Sequence, residues 1–181
     1  MMLKLSSENL KNIDSVKKFF LTEKNKIKEQ FYYNHRGIKC CKLNSDLTDV
    51  LIKKIFKLTN PVKLANQDFL ICAVGGYGRR HLAPYSDIDL LFAYNQKIPE
   101  NELKRTIEKI LYPLWDLGMK VGHAVRTFKE VISFSKKEQI IKTSILDARL
   151  ILGCNKVFKK IIAQYTQEFS KKARIFLKEK V

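Results

Sequence analysis

The tightest constraint on this chain is the run Phe69 to Phe92, FLICAVGGYGRRHLAPYSDIDLLF. It opens on the apolar segment Phe69–Val74, too short for a typical helix and rich in β-branched and aromatic residues, which reads as a buried strand. Gly75 and Gly76 follow at once, and about ten residues later a second apolar run carries Asp87 and Asp89. Residues two apart on a strand point to one side. The two carboxylates therefore stand together, while Ile88 and Leu90 face a core. Like charges at that spacing repel unless a cation lies between them. A hard divalent ion such as Mg²⁺, which takes oxygen ligands and keeps positions open for phosphate oxygens, suits the pair. The glycines, lacking a β-carbon, let the backbone turn sharply and come close to a ligand, with N–H groups free to hold a triphosphate.

Each half of this pattern is weak alone, since a glycine pair more often marks a turn and an Asp-Ile-Asp strand more often binds nothing. The order strand, Gly-Gly, connection, Asp-apolar-Asp is far more specific. It resembles the nucleotidyltransferase superfamily related to DNA polymerase β. GGYGR, L-x-PYSDIDLL, LWDLGMKVGHAVRT and TSILDARLILG occur in that order between Phe69 and Gly153. Together they resemble the N-terminal transferase domain of the bacterial PII uridylyltransferase/uridylyl-removing family. The resemblance implies an α+β fold of polymerase β type, a small mixed β-sheet flanked by helices. It also implies transfer of UMP from UTP to a tyrosine of the PII signalling protein. Asp87 and Asp89 would hold Mg²⁺ and carry catalysis, and Gly75 and Gly76 would contact the nucleotide phosphates.

Other positions are carried over with alternatives open. Arg79, Arg80 and Arg126 can lend positive charge to the phosphates, with Arg79 and Arg126 taken as nucleotide-binding. Ser86 either touches phosphate or caps its turn. The family usually has glycine where Arg80 stands and an acidic or small residue where His81 stands, so the loop is expected to be crowded. Many superfamily members place a third carboxylate on the strand read here at Met119–Thr127, which contains no acid. Glu138, where the family shows Asp, is the candidate, against a solvated residue beside Lys136 and Lys137. His123 reads first as a structural histidine on an apolar strand. Asp147 and Arg149 fit the family's "LDAR" segment or form a local ion pair.

At 181 residues the chain can bury a real core. Its net charge of +17 would draw in an anionic nucleotide. The lysines come in scattered pairs without interleaved aromatics, so nucleic-acid binding is disfavoured and solvated helix faces are preferred. The four cysteines form no Cys-x-x-Cys pair, which argues against zinc and for a reducing cytoplasm. No run is long enough for a membrane span.

In chain order, residues 1–60 read as a helical segment. One helix carries Leu10, Ile13, Val16, Phe19 and Phe20 on a stripe and breaks at Asn34–Gly37; a second is capped at Asn44 or Ser45. Everything before Phe69 is read as scaffold. Residues 61–153 form the transferase core. It includes a helix from Pro99 to Asp116 anchored by Trp115 and ended by Gly118, an N-cap at Thr127, and a helix from Ile140 to Leu152. Residues 154–181 form a closing basic helix. The HD hydrolase and ACT domains of the family do not fit in this length. The chain reads as a transferase domain standing alone, or else as an inactive remnant or a nucleotide- or partner-binding module.

Overall fold

The computed structural model describes residues 10–59, 68–133 and 144–179, with side chains as far as residue 170. Two long helices come first, α1 (Ile13–Asn34) and α2 (Gly37–Thr59). Asn12 caps α1 through a reciprocal pair with Ser15, its side chain accepting from the Ser15 N–H at 2.8 Å. The helix stops at His35, left-handed at φ 53°, whose N–H returns to the Phe31 carbonyl at 2.8 Å. The break falls where the Asn-His-Arg-Gly composition placed it.

The start of α2 does not. Asn44 and Ser45 lie about two turns inside the helix and are buried. The Ser45 hydroxyl donates back to the Cys41 carbonyl at 2.8 Å, and Thr48 to that of Asn44 at 2.8 Å. Such back-bonding satisfies hydroxyls inside a helix, so the polar residues that suggested a cap are core residues instead.

A four-stranded sheet follows, in the order β3-β2-β1-β4. It consists of β1 (Phe69–Ala73), β2 (Ile88–Tyr94), β3 (Val121–Thr127) and β4 (Arg149–Leu152). β1 pairs antiparallel with β2 and β4, and β2 parallel with β3. A single helical turn, α3 (Gly75–Gly78), joins β1 to the loop before β2. α4 (Glu100–Asp116) makes the parallel crossover from β2 to β3, α5 (Phe128–Ser133) follows β3, and α6 (Asn155–Glu179) follows β4. The fold is α+β with helices on both faces of a mixed sheet, as expected.

Alternation along the strands sorts the core. Phe69, Ile71, Ile88, Leu90 and Phe92 pack with Val16, Phe20, Leu51, Ile55, Ile107 and Leu114 of α1, α2 and α4. Leu70, Cys72, Leu91 and Ala93 face the other way, against Val131, Ile161 and Tyr165 of α5 and α6. Burial pushes the Cys72 thiol up to about 12, which leaves it an inert apolar residue. The closing helix begins at Asn155 as read and turns Ile161 and Tyr165 inward.

Three further details differ from expectation or refine it. Residues 149–152 form a strand, where a helix over Ile140–Leu152 was read; residues 140–143 of that span lie outside the described residues. The run is short and apolar enough to satisfy either period, and pairing with the free edge of β1 decides it. Trp115 does not anchor α4: it is 43% exposed and tilts against Tyr112 and His123, while Leu114 is fully buried. Thr127 does cap α5, reciprocally. Glu130 donates its N–H to the Thr127 hydroxyl at 3.1 Å, and its carboxylate accepts the Thr127 N–H at 2.7 Å.

Candidate active site

The ladder between β1 and β2 assembles the two halves of the motif. Ala73 lies opposite Leu90, and the Val74 N–H donates to the Asp89 carbonyl at 3.1 Å. The end of β1 and the start of β2, the two central strands, thus meet at one end of the sheet, with the glycine turn α3 beside them. Asp87 precedes β2 and Asp89 is its second residue. Both are exposed, while Ile88 and Leu90 between and beyond them are each 1% exposed. The alternation read from sequence holds.

Neither carboxylate has a cation or a hydrogen-bond donor among the described residues. Partial burial, and then the charge of Asp87, raise the Asp89 carboxyl above its ordinary value. Burial disfavours the charged carboxylate first, and the like charge of Asp87 adds to it. Among the described residues no third His, Cys, Asp or Glu joins the pair; Glu138 lies outside them.

Two glycines give the Asp89 carboxylate its room. A β-carbon on Gly75, left-handed at φ 58°, would lie 3.4 Å from Asp89 Oδ2. On the other side Gly122 of β3 pairs with Asp89 in the parallel ladder. A β-carbon there would lie 2.7 Å from Oδ1, inside van der Waals contact. Gly122 was not singled out in the sequence, yet an isolated glycine within a strand pattern signals such close approach.

The turn α3 is held from behind. The Tyr77 hydroxyl donates to Asp49 Oδ1 of α2 at 2.7 Å, and its ring is 1% exposed. Arg149, at the start of β4, forms a two-pronged ion pair with the same Asp49 carboxylate. Its Nε also donates to the Gly78 carbonyl at 3.3 Å and its Nη2 to the Tyr77 carbonyl at 3.4 Å. Burial of Tyr77, and then the neighbouring Asp49, drive the phenol well above its usual range. Burial alone would lower the Arg149 guanidinium, but hydrogen bonds and charge from Asp49 outweigh it and raise it. Helix α2 was read as scaffold; it supplies Asp46 and Asp49 to the loop that carries the motif.

The remaining candidates have definite places. Arg79 forms an ion pair with Asp147 and Arg80 with Asp46. Asp147 is thus paired with the residue that follows α3 and Arg149 with α2, and not with each other. Arg80 sits at φ 62°, in the left-handed region that disfavours side chains and suits glycine. Ser86 donates to the Ala83 carbonyl at 2.9 Å, capping its turn. Arg126 shares Asp89's face of the sheet but lies four residues beyond Gly122, roughly 13 Å along the strand, and donates to the Val125 carbonyl at 2.9 Å. His123 is on the opposite face, edge-on to Phe92 with ring centroids 6.3 Å apart.

The sequence profile of the nucleotidyltransferase domain matches residues 50–152, the stretch that carries the glycine turn and both carboxylates. The chain belongs to that family. Within it, the chain is 38% identical over 152 residues to the bifunctional uridylyltransferase/uridylyl-removing enzyme of Phenylobacterium zucineum, covering 80% of this chain and 16% of the relative. It is 36% identical over 175 residues to the protein of the same name from Caulobacter vibrioides, covering 92% of this chain and 18% of the relative. For Azospirillum brasilense the figures are 37% over 148 residues, 78% and 16%. The chain therefore spans less than a fifth of the length of these curated relatives.

Proposed function

We propose that this domain transfers UMP from UTP to a hydroxyl of an acceptor protein, a tyrosine of PII, with release of pyrophosphate. The observation that carries the reading is the exposed Asp87–Asp89 pair beside Gly75, without a cationic partner among the described residues. Acids so placed destabilise the folded chain unless a cation binds, and an all-oxygen pair open to solvent fits Mg²⁺. Bound there by Asp87 and Asp89, Mg²⁺ would supply charge neutralisation at the triphosphate and activation of the acceptor hydroxyl.

The chain's own groups do the rest. The N–H groups of Gly75 and Gly76, in the first turn of α3 where a helix has no acceptor of its own for them, would hold the β- and γ-phosphate oxygens. Asp87 and Asp89 fix where the α-phosphate lies. The acceptor oxygen attacks the α-phosphorus, the bond to the bridging oxygen breaks, and pyrophosphate leaves with that electron pair while the hydroxyl proton passes to solvent or a carboxylate. Arg79, Ser86 and Arg126 would contribute by exchanging their present partners for phosphate oxygens, and Glu138 is kept as the third acid. The net positive charge steers the nucleotide inward. Among the described residues no helix is long and apolar enough to cross a membrane.

The test incubates the purified chain with Mg²⁺, UTP labelled in its α-phosphate, and PII from the same organism. Label on PII, lost in Asp87→Asn, is the expected result. Mg²⁺-dependent binding of UTP without transfer would instead make the chain a nucleotide-binding module, and neither binding nor transfer would make it an inactive remnant.

A further inference from the structure

The turn Gly75-Gly76-Tyr77-Gly78 has almost no reason of its own to be helical. It is four residues long, where isolated helices need about a dozen, and three of the four are glycine, each about 1 kcal/mol worse than alanine in a helix. Its conformation must come from outside. Three contacts supply it. The Tyr77 ring is buried and its hydroxyl is fixed on Asp49. Arg149 reaches the carbonyls of Tyr77 and Gly78, the last two of the turn, and lies 5.4 Å over the Tyr77 ring. The backbone of Asp147 packs so closely on Gly78 that a β-carbon there would collide with its carbonyl oxygen.

We infer that Asp49, Tyr77 and Arg149 are positioning residues for the nucleotide site. The three form one clamp, drawn from α2, the turn itself and β4, that holds α3 in the single conformation in which Gly75 abuts the Asp89 carboxylate. Arg149 is its centre, because only a planar guanidinium can grip both oxygens of Asp49 and still donate to two carbonyls. Lysine at this position keeps the charge opposite Asp49 but cannot span the turn. Tyr77→Phe keeps the buried ring and loses only the tether to Asp49. This inference rests on the transfer reading for its consequence, but not for the order it predicts in the turn.

The experiment compares Arg149→Lys and Tyr77→Phe with the parent chain, each first shown to be folded by circular dichroism and thermal melting. Amide hydrogen exchange is measured over residues 75–81, and Mg²⁺–UTP affinity is measured by calorimetry. Loss of one or two such hydrogen bonds is expected to speed exchange of the Gly78, Arg79 and His81 amides by about tenfold in both variants, with other segments unchanged. UTP affinity is expected to weaken by about five- to tenfold, with Arg149→Lys the larger. Unchanged exchange in the turn would overturn the clamp. Faster exchange with parental UTP affinity would reduce it to a structural contact and overturn the positioning role. A parent chain that binds no UTP would defeat the transfer reading, and the exchange data would then decide the clamp alone.

Discussion

Asp49 and Asp89 are both acids set among apolar neighbours, one on α2 and one on β2, and their surroundings could hardly differ more. Asp49 is 7% exposed and every lone pair that matters is met, by the Arg149 fork and the Tyr77 hydroxyl. Asp89 is exposed, lies near Asp87, and has no donor on its carboxylate among the described residues. A buried charge that is fully paired locks a geometry. A pair of charges left unmet stores repulsion that only a ligand can relieve. The same side chain thus fixes the frame in one place and stands exposed beside a like charge in the other, and the two places are joined through four residues of α3.

The contrast can be broken most sharply at its functional end. Asp89→Asn should lower UMP transfer by at least about a thousandfold, equivalent to ~4 kcal/mol of barrier, while the melting temperature holds or rises because repulsion with Asp87 is gone. A variant that keeps transfer would place the cation elsewhere. At the structural end, Asp49→Ala leaves Arg149 partly buried without its counter-charge and should cost about 3 kcal/mol of stability, read by urea unfolding. A loss no larger than that of a surface pair would mean the Arg149 guanidinium finds water.

Gly122→Ala tests the space between the two ends. Its methyl would press on Asp89 Oδ1, and transfer should fall about ten- to a hundredfold with little loss of stability, measured as kcat against melting temperature.

A fourth prediction uses pH. Asp89's folded carboxyl is raised above its unfolded value of 3.8, so the native chain keeps this proton to higher pH than the unfolded chain does. The sign follows: Asp89 costs nothing below the unfolded value, and stability falls as pH rises through the raised one. Melting curves from about pH 3.5 to 6 should show the parent losing ground to Asp89→Asn, and millimolar Mg²⁺ should cancel that loss. The smallest effect is expected for Arg80→Gly. Release from φ 62° is worth about 1 kcal/mol and the half-exposed pair with Asp46 about as much or less, so the net should be near zero by thermal melting.

Much of this was legible because it is local. The alternation in IDLLF and the Gly-Gly after an apolar run are statements about neighbours along the chain, and they placed Asp87, Asp89, Gly75 and Gly76 at one edge before any tertiary information. The turn at Asn34–Gly37, the caps at Thr127 and Gly118, and the start of the last helix were legible for the same reason. What escaped depends on partners far away in sequence. Nothing near residue 149 says that RLIL will find the free edge of β1, and nothing near Asp49 says that Arg149, a hundred positions on, will neutralise it. Asn44 and Ser45 misled because the same short polar side chains that cap helices also bond back inside them. Gly122 was readable in principle, as a glycine with no turn to explain it.

The Val74–Asp89 hydrogen bond carries a last consequence, for the history of the connection between β1 and β2. The two halves of the site touch across a ladder and do not depend on the path of the chain between them. Residues 79–86 could therefore be lengthened, shortened or replaced with Asp89 still beside the glycine turn, because closing a loop a few residues longer costs only a few tenths of a kcal/mol. Substitution within that connection, including at Arg80 with its φ of 62°, is compatible with an intact site, and loss of the ladder pair is not.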